Sequence, residues 1–131
     1  MAELSPRTKT DFARLNERHP DATLTPLPSG AALVEMPFEL PPGWSVSSVE
    51  LRFLVPNGYS TASPDCFWVS PDLSLAGNGK PRNSEYNNPI PETAIQAHWF
   101  SWHIEEGKWS PNDSDLLMWL SICTKRLQCL V

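Results

Sequence analysis

Fourteen prolines in a chain of 131 residues restrict the possible folds of this sequence more than any other feature. Proline lacks a backbone N–H and clashes with the preceding turn of a helix, so it interrupts helices and central strands alike. Few long stretches with a helical pattern remain between the prolines. The chain is therefore predicted to mix helices and strands, and a purely helical protein is excluded.

Two segments nevertheless show a helical pattern. Thr8 to Arg18 predicts a short N-terminal helix, with Phe12 and Leu15 at helical spacing and Pro20 shortly after it. Asp113 to Gln128 predicts a C-terminal helix, because the apolar positions 116, 120, 123 and 127 form one stripe along it.

Four short segments have the composition or alternation of β-strands. In the clearest one, apolar residues alternate with Glu50 and Arg52, as in a strand with one buried face. The predicted strands are Leu24–Leu27, Ala31–Met36, Val49–Val55 and Cys66–Val69. Together with the helices they predict an α+β fold, one domain over residues 1–131 with a four-stranded antiparallel meander.

Residues Asp72 to Pro91 are rich in glycine, asparagine and proline and predict a long loop, a kind of segment that is often functional. Asn83, Asn87 and Asn88 within it are candidates to donate amide hydrogen bonds to an oxyanion. Asparagine is also common in loops for conformational reasons, so that interpretation stays open.

The charge and hydropathy patterns exclude several classes of partner. The net charge is −5 and no block of lysine or arginine occurs, which argues against binding to nucleic acid. The apolar runs are far shorter than the roughly 20 residues of a membrane-spanning helix. Met1 to Thr10 lacks the apolar core of an export signal, so we expect a cytoplasmic protein without membrane attachment.

Neither a disulfide nor a metal is predicted from residue spacing. The three cysteines, Cys66, Cys123 and Cys129, form no CxxC pair and are expected to be free thiols, with Cys66 in the core. The three histidines lack metal-ligand spacing and no HExxH motif occurs. We therefore expect no metal and no cofactor.

The order of these elements resembles that of the ubiquitin-conjugating enzymes, which share the UBC fold. The segment from Gly58 to Pro64 is similar to the turn after their third strand, and Trp109-Ser110-Pro111 is similar to their Trp-x-Pro segment. A finer resemblance is to a bacterial branch, prokaryotic UBC-like family E. It is carried by Phe67–Pro71, Trp99–His103 and Asp115–Leu127.

Three departures from the ordinary family pattern affect the expected chemistry. Ser101 stands where the nucleophilic cysteine is expected, eight residues before Trp109 (109 − 101 = 8). Tyr59 is followed by serine where proline is usual. The His-Pro-Asn tripeptide is missing, and Lys80 to Asn83 is the nearest stretch. A thioester mechanism therefore does not carry over directly.

The resemblance implies an acyl carrier in a bacterial ubiquitin-like conjugation pathway, with a ubiquitin-like protein and its activating enzyme as partners and antiviral defence as a possible setting. Ser101 would hold the acyl group as an oxyester, with His103 as base. If Trp99 to His103 is extended, the side chains of Ser101 and His103 share one face and Trp102 points away. Trp102 and Tyr59 are the candidates for partner binding.

Other functions remain open on the sequence alone. A non-catalytic adaptor would bind the ubiquitin-like protein or the activating enzyme without an adduct. A serine hydrolase built on Ser101 and His103 is disfavoured, because there is no GxSxG motif and no acidic residue to orient the histidine is identifiable. In the simplest reading, His103 only stabilises its loop and Ser101 is a surface hydroxyl.

Overall fold

A computed structural model describes residues 4–75, 77 and 79–131. In chain order the elements are α1 (Pro6–Arg18), β1 (Thr23–Pro26), β2 (Ala32–Glu39), β3 (Ser48–Val55), β4 (Phe67–Ser70), β5 (Ser84–Pro89), β6 (Gln96–Phe100) and α2 (Leu116–Gln128). The predicted α+β class and both predicted helices are confirmed. Asn78, part of the predicted loop, lies outside the described residues, as do Met1 to Glu3 of the predicted N-terminal segment.

The described strands form one antiparallel sheet in the order β1-β2-β3-β4-β6-β5. The first four strands are consecutive neighbours, as in the predicted meander, but the prediction of four strands is too few, because β5 and β6 extend the sheet beyond β4. The predicted loop from Asp72 to Pro91 is wrong in its second half, where β5 lies. This strand has a polar sequence and a shift of register between Glu85 and Asn88, so it lacks the apolar alternation from which a strand is predicted.

Helix α1 begins where the sequence supplies a cap and a favourable first residue. The Ser5 hydroxyl accepts a hydrogen bond from the Thr8 N–H at 3.1 Å, and Pro6 occupies the first helical position, where its missing N–H costs nothing. The helix consequently starts two residues before the predicted start at Thr8. Its buried residues include Leu15, which is fully covered.

Helix α2 packs against the same face of the sheet as α1. The Asp115 carboxylate caps it by accepting from the Met118 N–H at 2.9 Å. The predicted apolar stripe is buried, together with Trp119, and Lys125 lies in the last turn, where a cation is favourable. None of the helices in the described ranges is long and apolar enough to cross a membrane.

The two faces of the sheet carry different clusters of side chains. On the helix side, the apolar residues of β3 (Val49, Leu51, Phe53 and Val55) are at most 5% exposed. The opposite face carries a smaller cluster around Trp68, which also includes Leu27, Leu33, Ile90 and Ala97. The main core therefore lies between the sheet and the helices.

Arg7 links α1 to the segment that precedes α2. Its guanidinium pairs with the Asp11 carboxylate at 2.8 Å and donates to the carbonyls of Pro111 and Ser114 at 2.8 and 2.6 Å. The Tyr59 hydroxyl donates to the same carboxylate at 2.5 Å, and burial raises the pKa of Tyr59 far above its ordinary value. Only 6% of Tyr59 is exposed, so it stabilises the fold and offers no surface to a partner, contrary to the prediction.

Candidate functional site

Ser101 lies directly after β6, at the end of the sheet. The last residue of that strand, Phe100, is paired with Phe67 of β4 on one side and with Ser84 of β5 on the other. The Ser101 N–H donates to the Asn83 carbonyl at 2.7 Å, which continues the pairing by one more hydrogen bond. The backbone of Ser101 is therefore fixed by the sheet, while its half-buried side chain points to the site.

The Ser101 hydroxyl meets the imidazole of His103. The Oγ of Ser101 lies 3.3 Å from the Nε2 of His103, at the long end of hydrogen-bond distance. Such separations are common between a nucleophile and its base before substrate binds. The structure thus brings together the two residues that the sequence analysis selected as candidates.

Asp65 adds a third group to this pair. Its Oδ1 contacts the Nδ1 of His103, on the side of the ring opposite Ser101. An ionised carboxylate only accepts hydrogen bonds, so in the neutral form of the ring the hydrogen lies on Nδ1 and the lone pair on Nε2. That lone pair faces the Ser101 hydroxyl. The arrangement has the order of groups found in a Ser-His-Asp triad.

Sequence reasoning missed Asp65 because 38 positions separate it from His103. The signal that could have revealed it is the register of two aromatic strands. Phe67 of β4 pairs with Phe100 of β6, and antiparallel pairing then brings the residues before β4 beside those after β6. If the two aromatic segments are aligned in this register, Asp65 lies opposite Trp102 and next to His103.

Cys66 lies in the same site. Its backbone has φ +62°, an uncommon value for a residue with a side chain, and its N–H donates to the Trp102 carbonyl at 2.9 Å. Only 9% of Cys66 is exposed, and burial, followed by the Asp65 carboxylate, raises the pKa of its thiol. A thiol that stays protonated is a poor nucleophile. Cys66 is therefore buried as expected, but it borders the site.

The three asparagines proposed as oxyanion donors lie at different distances from Ser101. Asn83 is bonded to it through the backbone, and both residues line one hollow. Asn88 pairs with Ala97, four positions before Ser101 along β6, and its amide donates to the Tyr86 carbonyl at 3.4 Å. Asn87 precedes it in β5. The structure thus brings Asn83 to the site and leaves Asn87 and Asn88 along the edge strand.

Trp102 is half-buried and packs on the main core. The Arg126 guanidinium lies 5.4 Å from the Trp102 ring centre and 5.1 Å from that of Phe100, and burial lowers the pKa of Arg126. The remaining face of Trp102 borders a hollow of about 360 Å³ between His103 and α2. Part of Trp102 therefore remains available to a ligand or a partner.

The polar groups of the site are open to solvent. The side chains of Asp65 and His103 are 61% and 60% exposed. Water screens charged pairs at such positions, so the groups act more strongly when a bound molecule excludes water. The polar groups of the site are therefore accessible to a molecule that binds there.

An antiparallel sheet with one helix before it and one after it in the chain agrees with the UBC-like arrangement expected from the sequence. A sequence model of prokaryotic E2 family E matches residues 11–129. The chain belongs to this family, which confirms the resemblance found in the sequence and indicates a role in ubiquitin-like conjugation. No curated protein and no solved structure gives a significant match.

Proposed function

We propose that this protein carries the C-terminal acyl group of a ubiquitin-like protein as an oxyester on Ser101. Family membership supports the pathway, and the contact of Ser101 with a histidine that is itself held by Asp65 supports the chemistry. A serine hydroxyl is a weak nucleophile unless a base removes its proton. His103 supplies that base, and Asp65 keeps the ring in the required tautomer.

In the first step the Ser101 oxygen attacks the carbonyl carbon of the activated donor, a thioester on the activating enzyme. His103 takes the hydroxyl proton through Nε2 as the carbon–oxygen bond forms. The carbon–sulfur bond then breaks, and the departing sulfur receives that proton. The products are an oxyester on Ser101 and a free thiol on the activating enzyme. In the second step an acceptor amine attacks the ester carbonyl carbon, and His103 takes a proton from the amine through Nε2. The carbon–oxygen bond to Ser101 then breaks, and His103 returns that proton to the Ser101 oxygen, which leaves an amide and a free serine.

Charge develops on the carbonyl oxygen during both steps. The side-chain amide of Asn83 lines the same hollow as Ser101 and is our candidate donor to that oxygen. Its position depends on the hydrogen bond between its carbonyl and the Ser101 N–H, which holds the two residues side by side. Asn83→Ala is expected to slow acyl transfer while leaving donor binding unchanged.

The hollow between His103 and α2 offers a place for the tail of the donor. Its lining is mostly apolar and includes Ile104, Met118 and Ile122, with Glu105, Lys108 and Lys125 as its charged residues. An extended peptide that reaches Ser101 from this side can bury apolar side chains against α2. Ile122→Asp should therefore raise the KM for the donor much more than it lowers kcat, and Ser121→Asp on the same helix serves as the charge-matched control.

Intact-mass spectrometry tests the oxyester directly. The protein is incubated with ATP, a ubiquitin-like protein and the activating enzyme for that ubiquitin-like protein. The expected adduct resists thiol reductant, yields to hydroxylamine and vanishes in Ser101→Ala. It persists in Ser121→Ala, which removes an exposed serine of α2. A reductant-sensitive adduct would transfer the role to a cysteine. Stable complex formation without any adduct, retained in Ser101→Ala, would instead identify an adaptor.

Asp65 also favours a second candidate function, that of a serine hydrolase. The acidic residue that the sequence did not reveal contacts His103, so the three groups of such an enzyme are present. In this case water, not an amine, would release the acyl group from Ser101. Hydrolysis of a small activated ester that is abolished in both Ser101→Ala and His103→Ala would favour this candidate. Absence of turnover would exclude it.

A further inference from the structure

Three different metal-binding side chains meet at the candidate site. One donor atom each from Asp65, Cys66 and His103 lies within 4.8 Å of the other two. Asp65 and Cys66 are adjacent, whereas His103 comes from a distant segment, so the spacing rules that argued against a metal in the sequence do not detect this set. The set combines a carboxylate oxygen, a thiol sulfur and an imidazole nitrogen.

The separations suit a small tetrahedral cation. Zinc binds such atoms at about 2.0–2.3 Å, so two ligands of one tetrahedral ion lie about 3.3–3.8 Å apart. The three donor atoms lie within 4.8 Å of one another, and Asp65 and His103 are in direct contact, so these two exposed side chains must rotate apart to reach that range. Mixed sulfur, nitrogen and oxygen ligands favour zinc and cobalt over magnesium and calcium, which take oxygen ligands.

The backbone holds the least mobile of the three ligands in place. Cys66 has φ +62°, and the hydrogen bond from its N–H to the Trp102 carbonyl joins its turn to the segment that carries His103. Its sulfur forms the covered floor of the cluster, because only 9% of Cys66 is exposed. Asp65 and His103 stand at the rim with 61% and 60% exposure, which leaves one side open to water.

We propose that Asp65, Cys66 and His103 bind one zinc-like divalent cation, with a fourth position open to solvent. Three protein ligands and an open position are typical of zinc sites that exchange their fourth ligand. On binding, the Cys66 thiol loses its proton to solvent and the sulfur coordinates as thiolate, while Asp65 and His103 contribute lone pairs.

Metal binding and general-base catalysis by His103 exclude each other. A neutral imidazole has one lone pair, at whichever nitrogen lacks a hydrogen. If the cation uses that lone pair, the other nitrogen carries a hydrogen, and the ring has no remaining site to accept the Ser101 proton. This holds for coordination through either nitrogen. Where Ser101 acts as an acyl carrier, the cation is therefore an inhibitor.

Cobalt titration of the metal-free full chain tests the site without any acyl donor. Tetrahedral cobalt with a thiolate ligand absorbs strongly in the near ultraviolet and the visible, and zinc should abolish both absorptions by displacement. One equivalent is expected to bind. Cys66→Ser should lose the near-ultraviolet band, whereas Cys129→Ser, which removes an exposed cysteine outside the cluster, should keep it.

Variants at the rim extend the test without disturbing the core. His103→Ala and Asp65→Ala should each weaken cobalt binding at least about tenfold, and Ser101→Ala should leave it unchanged. Zinc should also protect His103 from carbethoxylation by diethylpyrocarbonate, since that reagent needs the free lone pair. A thiolate band that survives in Cys66→Ser but disappears in Cys129→Ser, or no band in the wild type, would overturn the proposal. A failure of Ser101 acylation would affect none of these readouts.

Discussion

His98 allows a direct test of how the burial of one titratable side chain lowers the stability of this protein at acidic pH. It lies in β6 with none of its surface exposed, between the rings of Tyr86 and Phe100 at 4.4 and 4.7 Å. Its Nδ1 accepts a hydrogen bond from the Leu73 N–H at 3.0 Å. Nε2 therefore carries the hydrogen, and it is buried without a hydrogen-bond partner within the described part of the chain. Protonation would charge a covered ring and break the bond to Leu73.

The magnitude follows from the pKa of this imidazole. Burial lowers the pKa of His98 from 6.5 to about 4. Above pH 6.5 both folded and unfolded states are neutral at this position, and stability is at its full value. As the pH falls from 6.5 to 4, only the unfolded state takes up the proton, so the free energy of unfolding falls by up to about 1.4 kcal/mol per pH unit. Between pH 7 and pH 5 the expected loss is about 2 kcal/mol.

Urea unfolding at pH 7 and pH 5, followed by tryptophan fluorescence, measures this loss. His98→Asn retains an acceptor for the Leu73 N–H but cannot take a proton. Between pH 7 and pH 5 its free energy of unfolding should therefore fall by about 2 kcal/mol less than that of the wild type. His19→Asn removes a half-buried histidine outside the sheet and leaves His98 in place. Its free energy of unfolding should therefore fall between pH 7 and pH 5 as much as that of the wild type. Equal losses in the wild type and His98→Asn would refute the reasoning.

Three further predictions concern the site and the fold. Asp65→Asn should slow formation of the Ser101 adduct about a hundredfold or more, because an amide no longer fixes the imidazole tautomer; single-turnover kinetics with unchanged rates would contradict this. Arg7→Ala should destabilise the fold by about 3 kcal/mol in urea unfolding, since it leaves the 2%-exposed Asp11 carboxylate without a cation and with only the Tyr59 hydroxyl as partner, and a loss near zero would contradict it. Gly43→Ala should cost about 1–3 kcal/mol in the same assay, because φ is +114° and a Cβ would lie 2.3 Å from a methyl group at position 130. A loss below that range would show that the backbone relaxes there.

The elements predicted correctly from sequence are those whose signal is local. Helix α2 repeats apolar residues at helical spacing, and that stripe is the buried face. The contact between Ser101 and His103 could likewise be predicted from the sequence, because residues two positions apart in an extended segment share a face. In both cases the decisive contact lies within a short stretch of chain.

The features missed from sequence depend on contacts between distant segments. β5 is a polar edge strand, and only its pairing with β6 makes it a strand. Asp65 reaches His103 only because β4 and β6 are neighbours in the sheet. Tyr59 is a candidate for partner binding on the sequence, yet its hydroxyl donates to the buried carboxylate of Asp11 on α1. None of these pairings leaves a periodic pattern in the sequence.

The ends of the sheet affect how this protein can associate. Its two edge strands, β1 and β5, each finish in a proline, Pro26 and Pro89, and β5 also contains Asn87 at φ +54°. Proline offers no N–H to an incoming strand, and an irregular polar edge pairs poorly with a straight one. Both edges of the sheet therefore resist the addition of a further strand, which disfavours aggregation through them. The proposed partner is accordingly expected to contact the rim around Ser101 and the exposed side of α2 through side chains and not by adding a strand to the sheet.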